Sequence, residues 1–555
     1  MQITVSELIV RFLERLGVES IFGMPGAHIL PVYDALYDSR IRTVLAKHEQ
    51  GAAFMAGGHA RASGRVGACI ATAGPGATNL VTGIANAYAD RLPVLAITGE
   101  APTYIFGKGG LQESSGEGGS IDQTALFRAI TRYHRIVERT DYLENVLNQA
   151  AHALLADQPG PVLLSFPFNV QKEGVDAGIL ERIPTARHVR RQGDCAQPAQ
   201  TLAQMLCAAK DPVIVAGYGC IRAGAQAEVA QLSALLAVPV ATSLKAKGVV
   251  GEASPMALGS LGVTSSGHAY KYIVDHADLV VFLGAGFNER TSYLWDPALL
   301  AGKRIVQVDH DPAQLEKVFR ADLAIQGDIK EVLGSVLARL KGHGGDAIVC
   351  DRLRARIAES RAVVASDYAV FQEGFALVQH FFRALERHFP QDAVVFDDNI
   401  IFAQNFYNVS NGCRYHPNSG ISSLGHAIPA AIGARFHEAR PTFAILGDGG
   451  FQMCGMELMT AVNYRLPLNV VVFNNATMGL IRKNQHQQYA QRFIDCDFVN
   501  PDFALLARAF GIRHKRVERP EDVDELFAHF DLTDAINLIE IVIDKNLFPN
   551  YSSRR

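Results

Sequence analysis

The segment Phe443-Ala-Ile-Leu-Gly-Asp-Gly-Gly-Phe451 constrains this chain more than any other. An apolar strand pattern stops there at Gly447-Asp-Gly449, and Val470-Val-Val-Phe-Asn-Asn475 repeats the pattern and stops at paired asparagines. Asp448 and Asn475 are 475 − 448 = 27 residues apart. That is room for one strand–helix–strand crossover, which returns the second strand parallel to the first. The spacing predicts Asp448 and Asn475 side by side at the carboxyl ends of neighbouring strands, where open α/β sheets bind ligands. A carboxylate and an amide oxygen suit a hard cation such as Mg2+, which keeps positions for phosphate oxygens. The glycines let backbone approach a diphosphate, and the following helix offers its N-terminus to the anion. A plain Gly-rich turn is the competing reading; the strand context and the Asn-Asn pair at this distance favour a metal–diphosphate site.

The rest of the chain repeats the alternation of strand and helix patterns in three blocks. With 555 residues, too many for one core, this predicts an α/β protein of three doubly wound parallel-sheet domains, at 1–170, 195–340 and 365–548. The first block holds Gly67-Ala-Cys-Ile-Ala-Thr72 and Pro93-Val-Leu-Ala-Ile-Thr98 as strands around a helix from Pro75 to Ala89. A polar connector from Gln171 to about Gln200 carries the basic cluster His188-Val-Arg-Arg191. Lys341-Gly-His-Gly-Gly345 and a charged helical linker through Arg361 precede the third block. A faint repeat links the outer blocks: Ala73-Gly-Pro-Gly76 leads through a helix to Arg91-Leu-Pro93, and Gly447-Asp-Gly-Gly450 to Arg465-Leu-Pro467.

Composition excludes other classes. A net charge of −4 speaks against nucleic acid and anionic membranes. Eight scattered cysteines without Cys-x-x-Cys read as free thiols of a cytoplasmic protein and not as a zinc site. The N-terminus reads as an amphipathic helix ending at Gly17, not as a signal peptide, and no run of 18 apolar residues spans a membrane.

With these segments in place, the chain resembles the thiamine-diphosphate-dependent enzymes of the acetohydroxyacid (acetolactate) synthase-like and benzaldehyde lyase-like branch. His48-Glu-Gln-Gly-Ala-Ala53, Ala73-Gly-Pro-Gly-Ala-Thr-Asn79 and Gly23-Met-Pro-Gly26 match its first domain, and Gly447-Asp-Gly449 with Asn474-Asn475 matches its cofactor motif. The resemblance implies pyrimidine-binding, middle and diphosphate-binding domains, and a homodimer or homotetramer with active sites between subunits. It implies that Asp448, Asn475 and the carbonyl of Thr477 bind Mg2+. Gly447, Gly449, Gly450, Met478 and Gly479 would surround the diphosphate, and Gly26, Pro75, Gly76 and Asn79 would approach from the first domain. Glu49 would donate a proton to the aminopyrimidine ring, a task that suits a carboxyl group in a dry pocket. Leu424 would hold the cofactor bent, and the carbonyl of Ser422 would receive its amino group.

Two further matches bear on substrate. His28 matches a histidine that lyase-like members place near the reactive carbon, and Gln112 a glutamine shared by synthases and lyases. Departures are equally informative. Gly286 stands where synthases carry an acceptor-binding arginine, Asn484 where they carry a tryptophan, and Leu111 and Val263 where they carry phenylalanine and methionine. The missing guanidinium removes a bidentate clamp for a second 2-oxo acid and favours an aldehyde, ketone or larger acceptor. FAD in the middle domain is left open, since Gly217-Tyr-Gly219 matches a glycine-rich stretch only in part. The Gly-rich loop Glu113–Ile121 reads as flexible, a lid or a surface loop. The expected activity is a carboligase that decarboxylates a 2-oxo acid, pyruvate first, and transfers the acyl unit to a carbonyl acceptor. The alternatives are an acyloin (2-hydroxy ketone) lyase and a flavin-linked 2-oxo acid oxidase.

Overall fold

The computed structural model describes residues 1–186, 195–341, 347–398 and 400–549. The basic cluster at 188–191 and residues 342–345 of the Gly-rich linker lie outside the described residues. Three six-stranded sheets carry the fold, and every strand pair within them is parallel. The central strands are buried along their whole length, as in Val94–Glu100 and Gly67–Ala71. That is why they read as continuous apolar runs and not as alternating ones.

The first sheet consists of Ser20–Gly23 (β1), Arg42–Leu45 (β2), Gly67–Ala71 (β3), Val94–Glu100 (β4), Tyr133–Ile136 (β5) and Val162–Pro167 (β6), in the order β2-β1-β3-β4-β6-β5. The middle sheet consists of Pro212–Ala216 (β7), Val240–Thr242 (β8), Ala257–Ser260 (β9), Leu279–Leu283 (β10), Arg304–Asp309 (β11) and Leu323–Gln326 (β12), in the order β9-β8-β7-β10-β11-β12. The third consists of Val394–Asp397 (β13), Arg414–Pro417 (β14), Thr442–Gly447 (β15), Leu468–Asn474 (β16), Arg513–Val517 (β17) and Ile536–Val542 (β18), in the order β14-β13-β15-β16-β18-β17.

The first and third sheets therefore share one topology, and the faint repeat in the sequence is its trace. In both, the third strand ends in a Gly turn and a helix returns to the fourth strand. That return closes identically. Arg91 and Arg465 take left-handed backbone at φ 54° and 51°. Leu92 N then donates to Ala87 O, and Leu466 N to Ala461 O.

These two domains meet through the helices Glu49–Ser63 and Ala427–Arg435. A Cβ on Gly58 would lie 2.0 Å from Ala430 O, and one on Gly433 2.0 Å from Met55 O. Only glycine lets the two backbones touch this closely. Ala52, Ala53 and Ala56 then share one core with Ile428, Ala431 and Ile432.

Two expectations need amendment. The chain after Asn169 does not become a polar connector at once. Gly174–Asp176 pairs antiparallel with Gln2–Thr4, and Val175, Leu180 and Ile183 complete the first core, because their apolar side chains have a groove to fill. The loop after Gln112 is not flexible throughout. Glu113 and Ser114 are buried, and Ser115 bridges to Asp122; the Gly-rich composition hid a carboxylate that folds the loop around itself.

Candidate active site

The structure brings the sequence-predicted residues together in two groups. The first lies at the carboxyl ends of β15 and β16, which pair in register from Phe443 and Asn469 to Gly447 and Phe473. Asp448 opens the helix Asp448–Cys454 and is 1% exposed. Its Oδ2 accepts from Asn475 N at 2.9 Å, Ala476 N at 2.6 Å and Asn500 Nδ2 at 2.7 Å, and its Oδ1 from Gly449 N at 2.9 Å. Burial raises the Asp448 carboxyl from its ordinary value, and these donors oppose the rise. Asn475 Oδ1 accepts from Thr477 N at 3.3 Å.

The 475–479 loop is pinned by Met478 N on Cys496 O at 2.7 Å and by Phe498 N on Ala476 O at 3.1 Å. It folds back on the Gly turn. A Cβ on Gly449 would lie 2.6 Å from Met478 Sδ, and one on Gly479 3.0 Å from Asn475 Nδ2. On the other side Gly450 faces Asp398, whose Oδ2 would be 2.8 Å from an added Cβ. Burial pushes Asp398 up to about 7. Its two oxygens accept from the backbone of Gly425 and Ala427, which fixes the turn carrying Ser422 and the half-buried Leu424. Ser422 itself takes φ 55°.

The second group lies in the segments that follow β1, β2, β3 and β4. Glu49 is the first residue of its helix, half-buried, and its Oε2 accepts from Asn79 Nδ2 at 2.9 Å. Its Oε1 sits 3.6 Å from where a Cβ on Gly76 would be. Gly26 lies against Thr72, with 2.5 Å to Thr72 Cβ from an added Cβ. Pro75 is the first residue of the helix Pro75–Ala89. His28 Nδ1 is 3.3 Å from Gln112 Oε1, which also accepts from Thr72 Oγ1 at 3.3 Å.

The sequence reading missed several members of the site. Asn500 bridges Asp448 and Asn474 Oδ1, the latter at 2.8 Å. Glu457, 2% exposed, accepts from Lys47 N and His48 N, each at 3.0 Å. It ties the segment following Asp448–Cys454 to the start of the Glu49 helix. Neither residue sits in a periodic pattern or motif, so only the fold could reveal them. Among the described residues no three His, Cys, Asp or Glu side chains cluster for a metal. Asp448 and Asn475 lie side by side at these strand ends, with Asn475 N donating to Asp448 Oδ2, and both bring oxygens of the kind a hard cation takes.

Family models match three stretches of the chain: the N-terminal TPP binding domain of thiamine pyrophosphate enzymes at residues 3–125, their central domain at 199–336 and their C-terminal TPP binding domain at 375–541. The chain belongs to the thiamine pyrophosphate enzymes. Within that family it is acetolactate synthase-like. It is 34% identical to a probable acetolactate synthase large subunit of Methanocaldococcus jannaschii, over 97% of this chain and 92% of the relative. It is 33% identical to an acetolactate synthase of Mycobacterium bovis, over 98% and 88%. It is 31% identical to the acetolactate synthase isozyme 2 large subunit of Escherichia coli, over 98% and 96%. Thiamine diphosphate is thus the cofactor of this enzyme, and the two groups of residues lie in the two TPP binding domains. No helix among the described residues is long and apolar enough to cross a membrane.

Proposed function

We propose that this thiamine diphosphate enzyme is a carboligase of the acetolactate synthase type. It decarboxylates a 2-oxo acid, pyruvate first, and passes the acyl unit to a carbonyl acceptor. The similarity to acetolactate synthases along nearly the whole chain carries this reading. It fits domains at 1–170, 195–340 and 365–548 and a cytoplasmic protein with free cysteines. When bound, the cofactor supplies an electron sink for the carbanion that the departing carboxylate leaves.

The residues divide the remaining work. Asp448, Asn475 and Thr477 would hold Mg2+, and Gly447, Gly449, Gly450, Met478 and Gly479 would make room for the diphosphate. Gly26, Pro75, Gly76 and Asn79 would frame the pyrimidine ring, with Asn79 orienting the Glu49 carboxyl for proton exchange. Leu424 would support the bend and the Ser422 carbonyl would accept the amino group. His28 and Gln112, already in contact, would hold or move the proton at the acceptor oxygen. Gly286 has open space around it, with Gln314 Oε1 3.9 Å from an added Cβ, and Leu111 is exposed. Val263 is buried; with Asn484, these positions would leave the acceptor side without a charged clamp and so favour an uncharged carbonyl.

The active form would be a homodimer or a pair of dimers. Leu30, Leu111, Ile121 and Leu126 are exposed on the first domain, and Met453, Met456, Leu480, Ile481, Ile494 and Val499 on the third. These apolar patches border the two halves of the site and suit the facing halves of a second copy. A cavity of about 760 Å³ opens at the carboxyl ends of the middle sheet. The sheet order reverses there between β7 and β10, where dinucleotides bind, and the volume suits FAD.

Incubation with pyruvate, Mg2+ and thiamine diphosphate should release CO2 and yield an acyloin or acetohydroxy acid. Acyloin cleavage without CO2 release would support the lyase instead, and oxygen uptake with bound flavin the oxidase. Glu49→Gln should lower turnover at least ~100-fold while cofactor still binds; unchanged turnover would refute the role given to Glu49. Denaturation should release a yellow flavin chromophore if the cavity holds FAD. An active monomer in light scattering would refute the shared site.

A further inference from the structure

Glu100, the last residue of β4, is completely buried. Its Oε1 accepts from Ala101 N at 2.7 Å and Ser114 N at 2.9 Å, while its Oε2 is buried without a hydrogen-bond partner among the described residues. Ser114 connects this carboxyl group to two backbone segments. Its Oγ donates to Gln112 O at 3.0 Å and accepts from Gly74 N at 3.0 Å. One carboxyl group thereby underlies both the Gly74 turn, which starts the helix carrying Gly76 and Asn79, and the backbone of Gln112. Gln112 needs that support, because its φ is 54°, a conformation that costs a non-Gly residue free energy and persists only when its surroundings enforce it.

We propose that Glu100 is the positioning residue for Gln112, acting through Ser114, and that its carboxyl group holds the loop in the form that presents Gln112 and His28 to the acceptor. This rests on the assignment of Gln112 to the substrate side of the site. Burial pushes the Glu100 carboxyl up to about 7, against the pull of its two backbone donors, and Glu113 raises it further. Glu113 is the opposite case. Its two oxygens collect the N–H groups of Gly107, Gly109 and Gly110 and the Ser115 hydroxyl, and these donors lower its carboxyl below the ordinary value. The charged group acting on Glu100 is Glu113 on the loop, while the His28 backbone packs on the neighbouring Gly99, which points to the other face of β4. The flanking strands β3 and β6 carry no charged residue. Ionisation would leave Glu100 Oε2 charged and unsolvated beneath Ser114, and the loop must open to admit water.

The test uses the holoenzyme and follows kcat/KM for the acceptor from mildly acidic to mildly alkaline pH, alongside donor decarboxylation and cofactor Kd. The wild type is expected to lose acceptor kcat/KM at least ~5-fold as pH rises through about 7, with donor decarboxylation and cofactor Kd constant within about twofold. Glu100→Gln keeps an oxygen for both backbone donors and cannot ionise, so it should flatten that limb. Glu100→Ala should lower acceptor kcat/KM about tenfold or more at every pH and speed hydrogen exchange across residues 107–116. A pH limb that persists in Glu100→Gln, or a Glu100→Ala enzyme with wild-type acceptor kinetics and loop exchange, would overturn the proposal. Gln112→Ala separates the two readings. If it ligates like the wild type, the assignment of Gln112 fails, and unchanged loop exchange in Glu100→Ala would independently refute the positioning role.

Discussion

Asp90 offers the sharpest quantitative check, because its carboxylate is buried at a place that opposes it. It follows the last residue of the helix Pro75–Ala89, where the helix dipole disfavours a negative charge. Arg61, from the Glu49 helix, and Lys245, from the middle domain, both pair with it. The Asp90 and Arg61 side chains are 1% and 2% exposed, and Lys245 25%. Burial alone would raise the Asp90 carboxyl, but the two cations win and hold it at about 2 instead of the ordinary 3.8. That difference corresponds to about 2 kcal/mol in favour of the ionised, folded form. The sign follows from a depressed carboxyl. This stability is fully present above pH 3.8 and is lost as pH falls towards 2. Asp90→Asn removes it at neutral pH and leaves Arg61 buried without its counter-charge, so ~2 kcal/mol is a lower figure and about 3–5 kcal/mol the usual cost. Peptides covering residues 57–64 and 243–249 should exchange their protected amides ~30-fold faster or more, since a change of about 1.4 kcal/mol is tenfold. Lys245→Met, at a partly exposed site, should have a smaller effect. A less than threefold change in Asp90→Asn would refute the claim that this triad fastens the middle domain to the first.

Three other substitutions probe the site and the domain contact. Asp448→Ala should raise the Mg2+ concentration for half-maximal cofactor binding at least ~10-fold, since it removes the one charged member of the proposed ligand set; calorimetric titration measures this, and an unchanged midpoint would remove Asp448 from that set. Glu457→Ala removes the acceptor of two part-buried backbone donors, those of Lys47 and His48, at about 1 kcal/mol each. Thermal unfolding should start lower and cofactor Kd should rise, with Glu457→Gln largely restoring both because one carbonyl oxygen can accept from both donors. Gly58→Ala places a methyl 2.0 Å from Ala430 O, backbone that cannot swing aside, so the soluble yield of folded protein should collapse; a well-folded Gly58→Ala protein would contradict the tight helix contact.

Much of the framework was legible because it is local. The helix Pro75–Ala89 and the strands Gly67–Ala71 and Val94–Glu100 fall where the patterns put them, to within a residue or two. Buried parallel strands and capped helices announce themselves over a few residues. Asp448 and Asn475 were found for the same reason, since one crossover of known length joins them. Asn500, Glu457 and Glu100 were not legible. Their partners lie 52, 409 or 410, and 14 residues away, and no periodicity marks a carboxylate that will meet a distant backbone N–H.

The order of residues alone dictated that this chain builds α/β sheets with a Gly-Asp-Gly turn at the end of a buried strand, and its motifs named the cofactor. That the first and third sheets share one strand order emerged only from the folded chain. Folding also brought Glu457 to the start of the Glu49 helix, fastened Asp90 between two domains, and set Glu100 beneath Gln112. The difference lies in the range of the interactions. Dihedral preferences and apolar periodicity act between neighbours along the chain, whereas a buried charge or an orphaned N–H is satisfied by whatever the folded packing brings to it.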